Sequence, residues 1–574
     1  MTSRTNALVV LGCSATKVDA SGSIPAVHLY DGPMYRVLRS HLRDRNWPRQ
    51  LSVGVLSAKY GLIGGLAPIQ RYDLRMTPER ADALRPQVAD SLHTFARGKS
   101  QVHLVLGKDY LRAIDDSLFS RNARVTEAEG PIGMKLHHFS ELLASFDAPV
   151  RSENRPEPGR GRPLYFLPDW DDFLDVDFDF EGDQFSADTR EERREAHSIE
   201  LMKPKRLCDG VLVSLAQYLG GGKGLLKRLS PNDPDLLRPR SVREHFGLTR
   251  DQWAFGDCGA FSYSAEHDPA VSVVQAVSIY DLYDFDFGAS VDHIPLAEIV
   301  NDKGERVVLS EYERRRRVLV TRQNAAAFIA EWKRRNCRFM PVGVIQGLSA
   351  KGYADQVPEY LEMGYEYLAL GGLVPKSDED IKQVVEKVAA VIKPLRRKPW
   401  VHLLGVFRPN LQEVFRESGI NSFDSATYFR KAWLRSDQNY LAKTGEWYAA
   451  IRVPPSADAR TLQRLRQSGL SESDIKRMEK AALRNLRRYD AKETTLKTCL
   501  RSVLRYDALL DRDDFDLARM RTHYRRTLKD RPWTACDCNM CRDIGIDIAI
   551  FRGYNRNKRR GAHNTLQLYR TLTH

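Results

Sequence analysis

Cys536-Asp-Cys538-Asn-Met-Cys541 puts three thiols within six residues, and His563 with Asn564 follows further along the chain. Three thiolates and one imidazole make a complete tetrahedral ligand set for zinc, which favours sulfur and nitrogen donors. The alternative is three unrelated thiols, but exposed cysteines at this density are an oxidation liability unless a metal holds them. No nucleophile stands among the four side chains, and no position is left for water. Cys536, Cys538, Cys541 and His563 are therefore expected to hold a structural zinc ion (Zn2+) that clips the C-terminus onto what precedes it.

A second set of chemistry-bearing residues recurs at the ends of short apolar runs. From about residue 205 these runs are VLVSL (211–215), WAFGDCGAF (253–261), YDFDFGASVDHIP (283–295), RFMPVGVIQG (338–347), YEYLALGG (365–372), WVHLLGV (400–406) and INSFDSA (420–426). Helical stretches such as 312–335 and 377–395 separate most of them. Repeated strand–helix units over about 230 residues predict a (β/α)8 TIM barrel, whose active site is built at the carboxyl ends of its strands. Five of the seven runs end in a polar group or a glycine pair: Asp257, Asp292, Gln346, Gly371–Gly372 and Asp424. The alternative for each aspartate is a helix cap or a turn, and Asp284 and Asp286 compete with Asp292 for its place. His402 is read as a core histidine and left outside the chemistry.

These elements need a frame. Length, 574 residues with 42% hydrophobic, predicts about two to four domains with sizeable cores. The net charge of +14, rich in arginine, predicts a polyanionic partner. The five cysteines outside the knuckle (Cys13, Cys208, Cys258, Cys337 and Cys499) are scattered and odd in number, which is not a disulfide framework and predicts a reducing cytoplasm. The N-terminal apolar run is too short for a signal peptide, and no run reaches the ~20 apolar residues of a membrane span.

Residues 1–150 read as a small α/β domain. The runs 7–12, 51–57 and 101–107 are strands that alternate with helical stretches such as 30–46. Cys13, Ser14 and Lys17 follow the first strand, and Ser57, Lys59, Tyr60 and Gly61 the second. They are expected to converge at the carboxyl ends of parallel strands, where open α/β sheets place sites; plain loop chemistry is the alternative. The stretch resembles small α/β domains of unassigned role that share CSxxK, LYxGxxxR and SAKYGL patterns, and this resemblance implies no reaction.

Residues 151–204 read as a linker and an approach to the barrel. RSENRPEPGRGRP (151–163) is a linker by composition. The acidic-aromatic LPDWDDFLDVDFDFEGD after it is read as a solvated loop, with the rim of a basic groove as alternative. The barrel domain is assigned to 205–452, a basic helical insert to 453–531, and a zinc-binding subdomain completing the barrel to 532–574. Over 455–535 there are 20 Lys and Arg against 12 Asp and Glu, at helical spacing. The insert is a candidate nucleic-acid platform making phosphate contacts through Arg484, Arg487, Arg488, Arg525 and Arg526.

The barrel motifs and the zinc ligands, in this order, resemble the tRNA-guanine transglycosylase superfamily. GDCGAF is similar to its DSGGFQ, IQG to its VQG, ALGGL to its ALGGL, HLLG to its HLFG, SFDS to its FDS, and CxCxxC…HN to its zinc site. The likeness covers about 205–430 and 532–570. It implies base exchange through a covalent aspartyl-sugar intermediate, with Asp424 as nucleophile and Asp257 as general acid and base. It further implies that Asp292 reads the exocyclic amine and ring N–H, and that Gln346 and the backbone of Gly371, Gly372 and Leu373 donate to the base carbonyl. Glycine suits backbone that approaches a flat ligand.

The departures point to one branch. The PTRxARNG-like segment that touches the tRNA anticodon arm is replaced by SATYFRKAW, with Arg430 as a partial substitute, and the stretch from Asp424 to Cys536 is long. With YFLPDW, these features resemble the DNA-guanine transglycosylases. That resemblance implies DNA and a free 7-deazaguanine base (7-cyano-7-deazaguanine or a relative) as substrates, other proteins of a DNA-modification system as partners, and the cytoplasm of a bacterial cell or of a phage-infected host as location. No nucleotide cofactor is implied, and the chain has no GxxxxGK[ST] loop. A transglycosylase acting on tRNA is the nearest alternative. A non-catalytic nucleic-acid-binding subunit is another, against which stands the presence of both Asp257 and Asp424.

Overall fold

Apolar runs closed by glycine or a polar residue form the strands of two sheets. The computed structural model describes residues 6–20, 22–42, 47–48, 50–115, 119, 123–146, 162–169, 172–190, 192–216, 236–301, 303–434, 437–457, 469–510 and 516–573. In the N-terminal domain β1 (Ala7–Gly12), β2 (Leu51–Ser57), β3 (Gly61–Gly64), β4 (Gln101–Val105) and β5 (Arg124–Glu127) pair in the order β3-β2-β1-β4-β5. β1 is parallel to β2 and β4, and only β3 runs antiparallel to its neighbour. The sheet is covered on both faces, which is why β1 reads as an unbroken apolar run. Val9 and Leu11 pack toward Tyr35 and Leu38 of α1 (Pro33–His41), while Leu8 and Val10 face Leu84 and Val88 of α2 (Pro78–Ala96).

The second sheet is a closed barrel of eight parallel strands: β6 (Leu164–Pro168), β7 (Gly210–Ser214), β8 (Trp253–Asp257), β9 (Phe287–Ala289), β10 (Met340–Ile345), β11 (Tyr367–Leu370), β12 (Trp400–Leu403) and β13 (Ser422–Asp424), which returns to β6. Seven of these are the seven runs read from the sequence. The eighth, β6, corrects the expected boundary: the barrel begins at Leu164, not at 205. Its apolar core is short and sits between prolines, with linker composition before it and acidic residues after it, so composition hid it. Residues 151–161 of the expected linker lie outside the described residues.

Strand side chains alternate. Phe166, Leu212, Phe255, Phe287, Val342, Val344, Ala369 and Trp400 fill the barrel. Their neighbours Val211, Ala254, Leu368, Leu370, Val401 and Phe423 face the surrounding helices, among them α3 (Val273–Leu282), α4 (Glu311–Arg335) and α5 (Asp378–Ile392). At Gly256 the ring of Tyr280 takes the place of a side chain, since a Cβ there would lie 2.1 Å from it.

After β13 come α6 (Thr427–Lys431), the insert helices α7 (Glu472–Asp490), α8 (Leu496–Asp507) and α9 (Leu517–Asp530), then α10 (Asn539–Ile544) and α11 (Gly553–Thr573). The acidic-aromatic segment is not a solvated loop. Asp183 pairs with buried Arg552 at 2.7 Å and with Arg556, Lys558 donates to the carbonyl of Phe173, and Arg559 to that of Asp175. Asp183 and carbonyls of the segment are thus met by Arg552, just before α11, and by basic residues of α11. No helix among the described residues is long and apolar enough to cross a membrane.

Buried Asp209 closes the seam of the barrel. It accepts from both terminal nitrogens of Arg162 at 2.7 and 2.9 Å, from the N–H of Tyr165 at 2.9 Å, and from the hydroxyl of Tyr569 on α11 at 2.7 Å. Asp209→Ala leaves these donors without their acceptor and is expected to cost about 3 kcal/mol in denaturant unfolding. A loss under about 0.5 kcal/mol would remove Asp209 from this role.

Candidate active site and metal cluster

Because alternation continues to the ends of the strands, the inward positions of the uppermost layer are polar. Asp257 ends β8 two residues after Phe255, Gln346 follows Val344, Gly371 follows Ala369, His402 follows Trp400, and Asp424 ends β13. Asp292 lies just beyond β9. All are at the carboxyl rim. Asp286 stands at the opposite end, before β9, paired with Arg243 at 2.7 Å and accepting from the N–H of Ala254, so it is not at this rim.

The rim holds three carboxyl groups close enough to feel one another. Burial, then the negative charges of Asp292 and Asp424, push the Asp257 carboxyl up to about 8, against the pull of the Gly259 and Cys258 N–H groups. Asp292, 2% exposed, is raised to about 6 by burial, opposed by a hydrogen bond from Gln346 Nε2 to its Oδ2 at 2.7 Å. At neutral pH the Asp257 carboxyl therefore carries a proton.

Asp424 is fixed from two sides. Its Oδ1 accepts from the N–H of Gly405 at 2.7 Å and lies 3.2 Å from His402 Nε2. The tautomer of His402 follows from its other neighbours. The indole N–H of Trp400 can only donate, so Ser422 Oγ accepts it at 2.8 Å and turns its own proton toward His402 Nδ1, also at 2.8 Å. That leaves the ring proton on Nε2, facing Asp424. His402 is the core histidine that the sequence suggests, fully buried against Phe166 and Phe255, and it also touches Asp424; its alternation with Trp400 and its place before Gly405 were the available signals of that contact.

The groups expected to meet a base are partly committed. Gln346 donates to Asp292, leaving Gln346 Oε1 and Asp292 Oδ1 without hydrogen-bond partners among the described residues. The N–H of Gly371 bonds the carbonyl of Ile345 at 3.0 Å, so of the three backbone donors read from the sequence, Gly371 is spent in the ladder. Those of Gly372 and Leu373 make no hydrogen bond among the described residues. A Cβ at Gly372, whose φ is +68°, would fall 2.5 Å from Gln346 Oε1.

Cys536, Cys538, Cys541 and His563 come together and are buried. Their sulfurs lie 3.5, 3.5 and 3.3 Å from His563 Nδ1. A tetrahedron with metal–sulfur and metal–nitrogen bonds near 2.3 and 2.0 Å has edges of about 3.5 Å, so the four fit a metal ion. His563 Nε2 donates to the carbonyl of Leu441 at 2.7 Å, which leaves the Nδ1 lone pair facing the sulfurs. On the same helix Asn564 holds the carbonyls of Tyr428 and Asn439, and Gly561 packs on Phe429. The cluster therefore anchors the segment that follows Asp424.

Of the cations proposed for nucleic acid, Arg430, Arg484, Arg488, Arg525 and Arg526 are exposed, and two of them are paired, Arg488 with Glu493 at 3.6 Å and Arg526 with Glu446 at 3.0 Å. Arg487 is an internal tie, bonded to Asp547 at 3.2 Å and to the carbonyl of Phe180. It lies on the side of α7 that the acidic segment covers, which helical spacing alone could not show.

Residues 8–141 match a family described only as one of unknown function (DUF6884). A protein of Salmonella montevideo named DNA-guanine transglycosylase is 35% identical over 410 residues, covering 71% of this chain and 96% of the relative.

The raised carboxyl of Asp257 has a consequence for stability. A group whose folded value lies above its unfolded value, here about 8 against 3.8, contributes stability below about pH 4 that is lost as pH rises through about 8. Unfolding free energies of the wild type minus those of Asp257→Asn should fall between pH 4 and 8 and level off above. A difference independent of pH would contradict the assignment.

Proposed function

The chain belongs to the DNA-guanine transglycosylase family, and on that premise we propose that it exchanges guanine in DNA for 7-cyano-7-deazaguanine or a close relative. The observation that carries this reading is the unequal pair at the rim: Asp257 keeps its proton at neutral pH, while Asp424 is held by two donors. Asp424 attacks the anomeric carbon of a flipped-out deoxyguanosine, and the bond from that carbon to the base nitrogen breaks. The electron pair leaves with guanine, which takes the proton of Asp257. The incoming base gives its ring proton back to Asp257 and displaces Asp424 from the sugar. One glycosidic bond is broken and one made, so no energy-supplying cofactor is needed.

Asp292 accepts from the amine and ring N–H of the base, and the N–H groups of Gly372 and Leu373 face its carbonyl; Gln346, expected to donate to that carbonyl, has its amide nitrogen on Asp292 here and holds that carboxylate in place. Cys536, Cys538, Cys541 and His563 hold zinc, the ion this donor set favours, in a structural role. Such a thiol cluster suits the reducing cytoplasm. The exposed arginines of α7 and α9 with Arg430 contact DNA phosphates, and the tRNA reading is disfavoured by the missing anticodon-arm segment after Asp424.

The test is a trap for the covalent intermediate. Wild-type protein mixed with duplex DNA, with released guanine removed, should give a protein–DNA adduct stable to denaturing electrophoresis. Asp424→Asn should give none. Joint reversal of Arg484, Arg488 and Arg525 to Glu should lower the yield at least about tenfold at physiological salt and flatten its salt dependence. An adduct of undiminished yield in Asp424→Asn would overturn the nucleophile.

A further inference from the structure

The N-terminal domain gathers chemistry that base exchange does not use. In its sheet β1 is the point where strand order turns, with β2 on one side and β4 on the other, and open α/β sheets bind ligands beyond the carboxyl ends at such a point. The three motif stretches of this domain meet there. Tyr72 OH lies 2.8 Å from both Tyr30 OH and Ser57 Oγ. Ser57 Oγ also accepts from the N–H groups of Lys59 and Tyr60. Cys13 Sγ is 3.1 Å from Tyr110 OH, beyond β4.

Two ammonium groups stand over this hydroxyl floor. Lys17 Nζ is 4.6 Å from the centre of the Tyr72 ring and Lys59 Nζ is 5.8 Å from it. Neither lysine forms an ion pair among the described residues. The acids near Lys17 in the chain are already engaged, Asp19 by Arg71 and Asp31 by Arg36 and Arg39. Both ammonium groups lie within about 6 Å of the same ring centre, so an anion bound there would meet two cations. Burial first, then a hydrogen bond to Cys13, raise the Tyr72 phenol to about 12, so the floor offers hydroxyl protons, not negative charge.

We propose that this crevice binds the phosphate of a free nucleotide. Lysines are compact point charges of the kind that bind phosphate. The half-exposed rings of Tyr60 and Tyr110 offer flat faces to a base. The site is separate from the barrel rim and does not depend on the base-exchange reading.

The experiment is calorimetric titration of the full chain with inorganic phosphate, with deoxyguanosine monophosphate and with a single-stranded oligonucleotide. The mononucleotide should bind one per chain, tighter than phosphate. Lys17→Ala and Lys59→Ala should each weaken it about tenfold or more, the double variant should abolish it, and Lys17→Arg should restore most of it. Tyr72→Phe loses two hydrogen bonds and lowers the unfolding midpoint somewhat, but measured well below that midpoint it should still weaken mononucleotide binding, which separates recognition from folding. No binding of the mononucleotide, or undiminished binding in the double variant, overturns the proposal. So does a lysine-dependent grip on the oligonucleotide alone, which would make the crevice a nucleic-acid contact.

Discussion

Three aspartates enclosed at one end of an apolar barrel cannot all carry charge. Water is excluded from below by Phe166, Phe255, Phe287 and Trp400, and each added charge raises the cost of the next. One proton must stay, and the surroundings decide where. Asp424 has a backbone N–H and an imidazole turned toward it, and Asp292 has an amide. Asp257 has only the N–H groups of its own turn and faces both other carboxyls. The raised carboxyl of Asp257 thus follows from the placement of donors and charges around chemically identical side chains.

That placement is maintained from outside the rim. The relay from Trp400 through Ser422 to His402 lies within the barrel core, so aiming Asp424 and packing the core are one task. α11 carries His563 to the metal cluster, clamps α6 beyond Asp424 through Asn564, and closes the barrel seam through Tyr569. Its buried Arg556, with Arg552 just before the helix, docks the acidic segment after β6. A C-terminal helix thereby couples the Cys3His cluster, barrel closure and the segment beside Asp424.

Much of this was legible because it rests on period and spacing. Seven strands, the inward aspartates at their ends and the cysteine knuckle are local patterns. What escaped depends on partners far apart in the chain. β6 is recognised as a strand only once β7 and β13 flank it. His402 looks like any buried histidine until Ser422 and Asp424 are beside it. Arg487 has the spacing of an exposed cation but meets Asp547 and Phe180. The N–H of Gly371 looks available until the ladder to Ile345 is drawn. The acidic segment reads as solvated because the counter-charges of Asp183 lie some 370 positions away, on Arg552 and on Arg556 of α11.

The central claim is base exchange at DNA guanines through Asp424. Its most direct test is to incubate the protein with duplex DNA or bulk tRNA and 7-cyano-7-deazaguanine, digest each polymer and identify the nucleosides by mass spectrometry, with Asp424→Ala in parallel. The account predicts a 7-deazaguanine deoxynucleoside from DNA with wild-type protein and none with the variant. Product in tRNA alone, or in neither polymer, would contradict it.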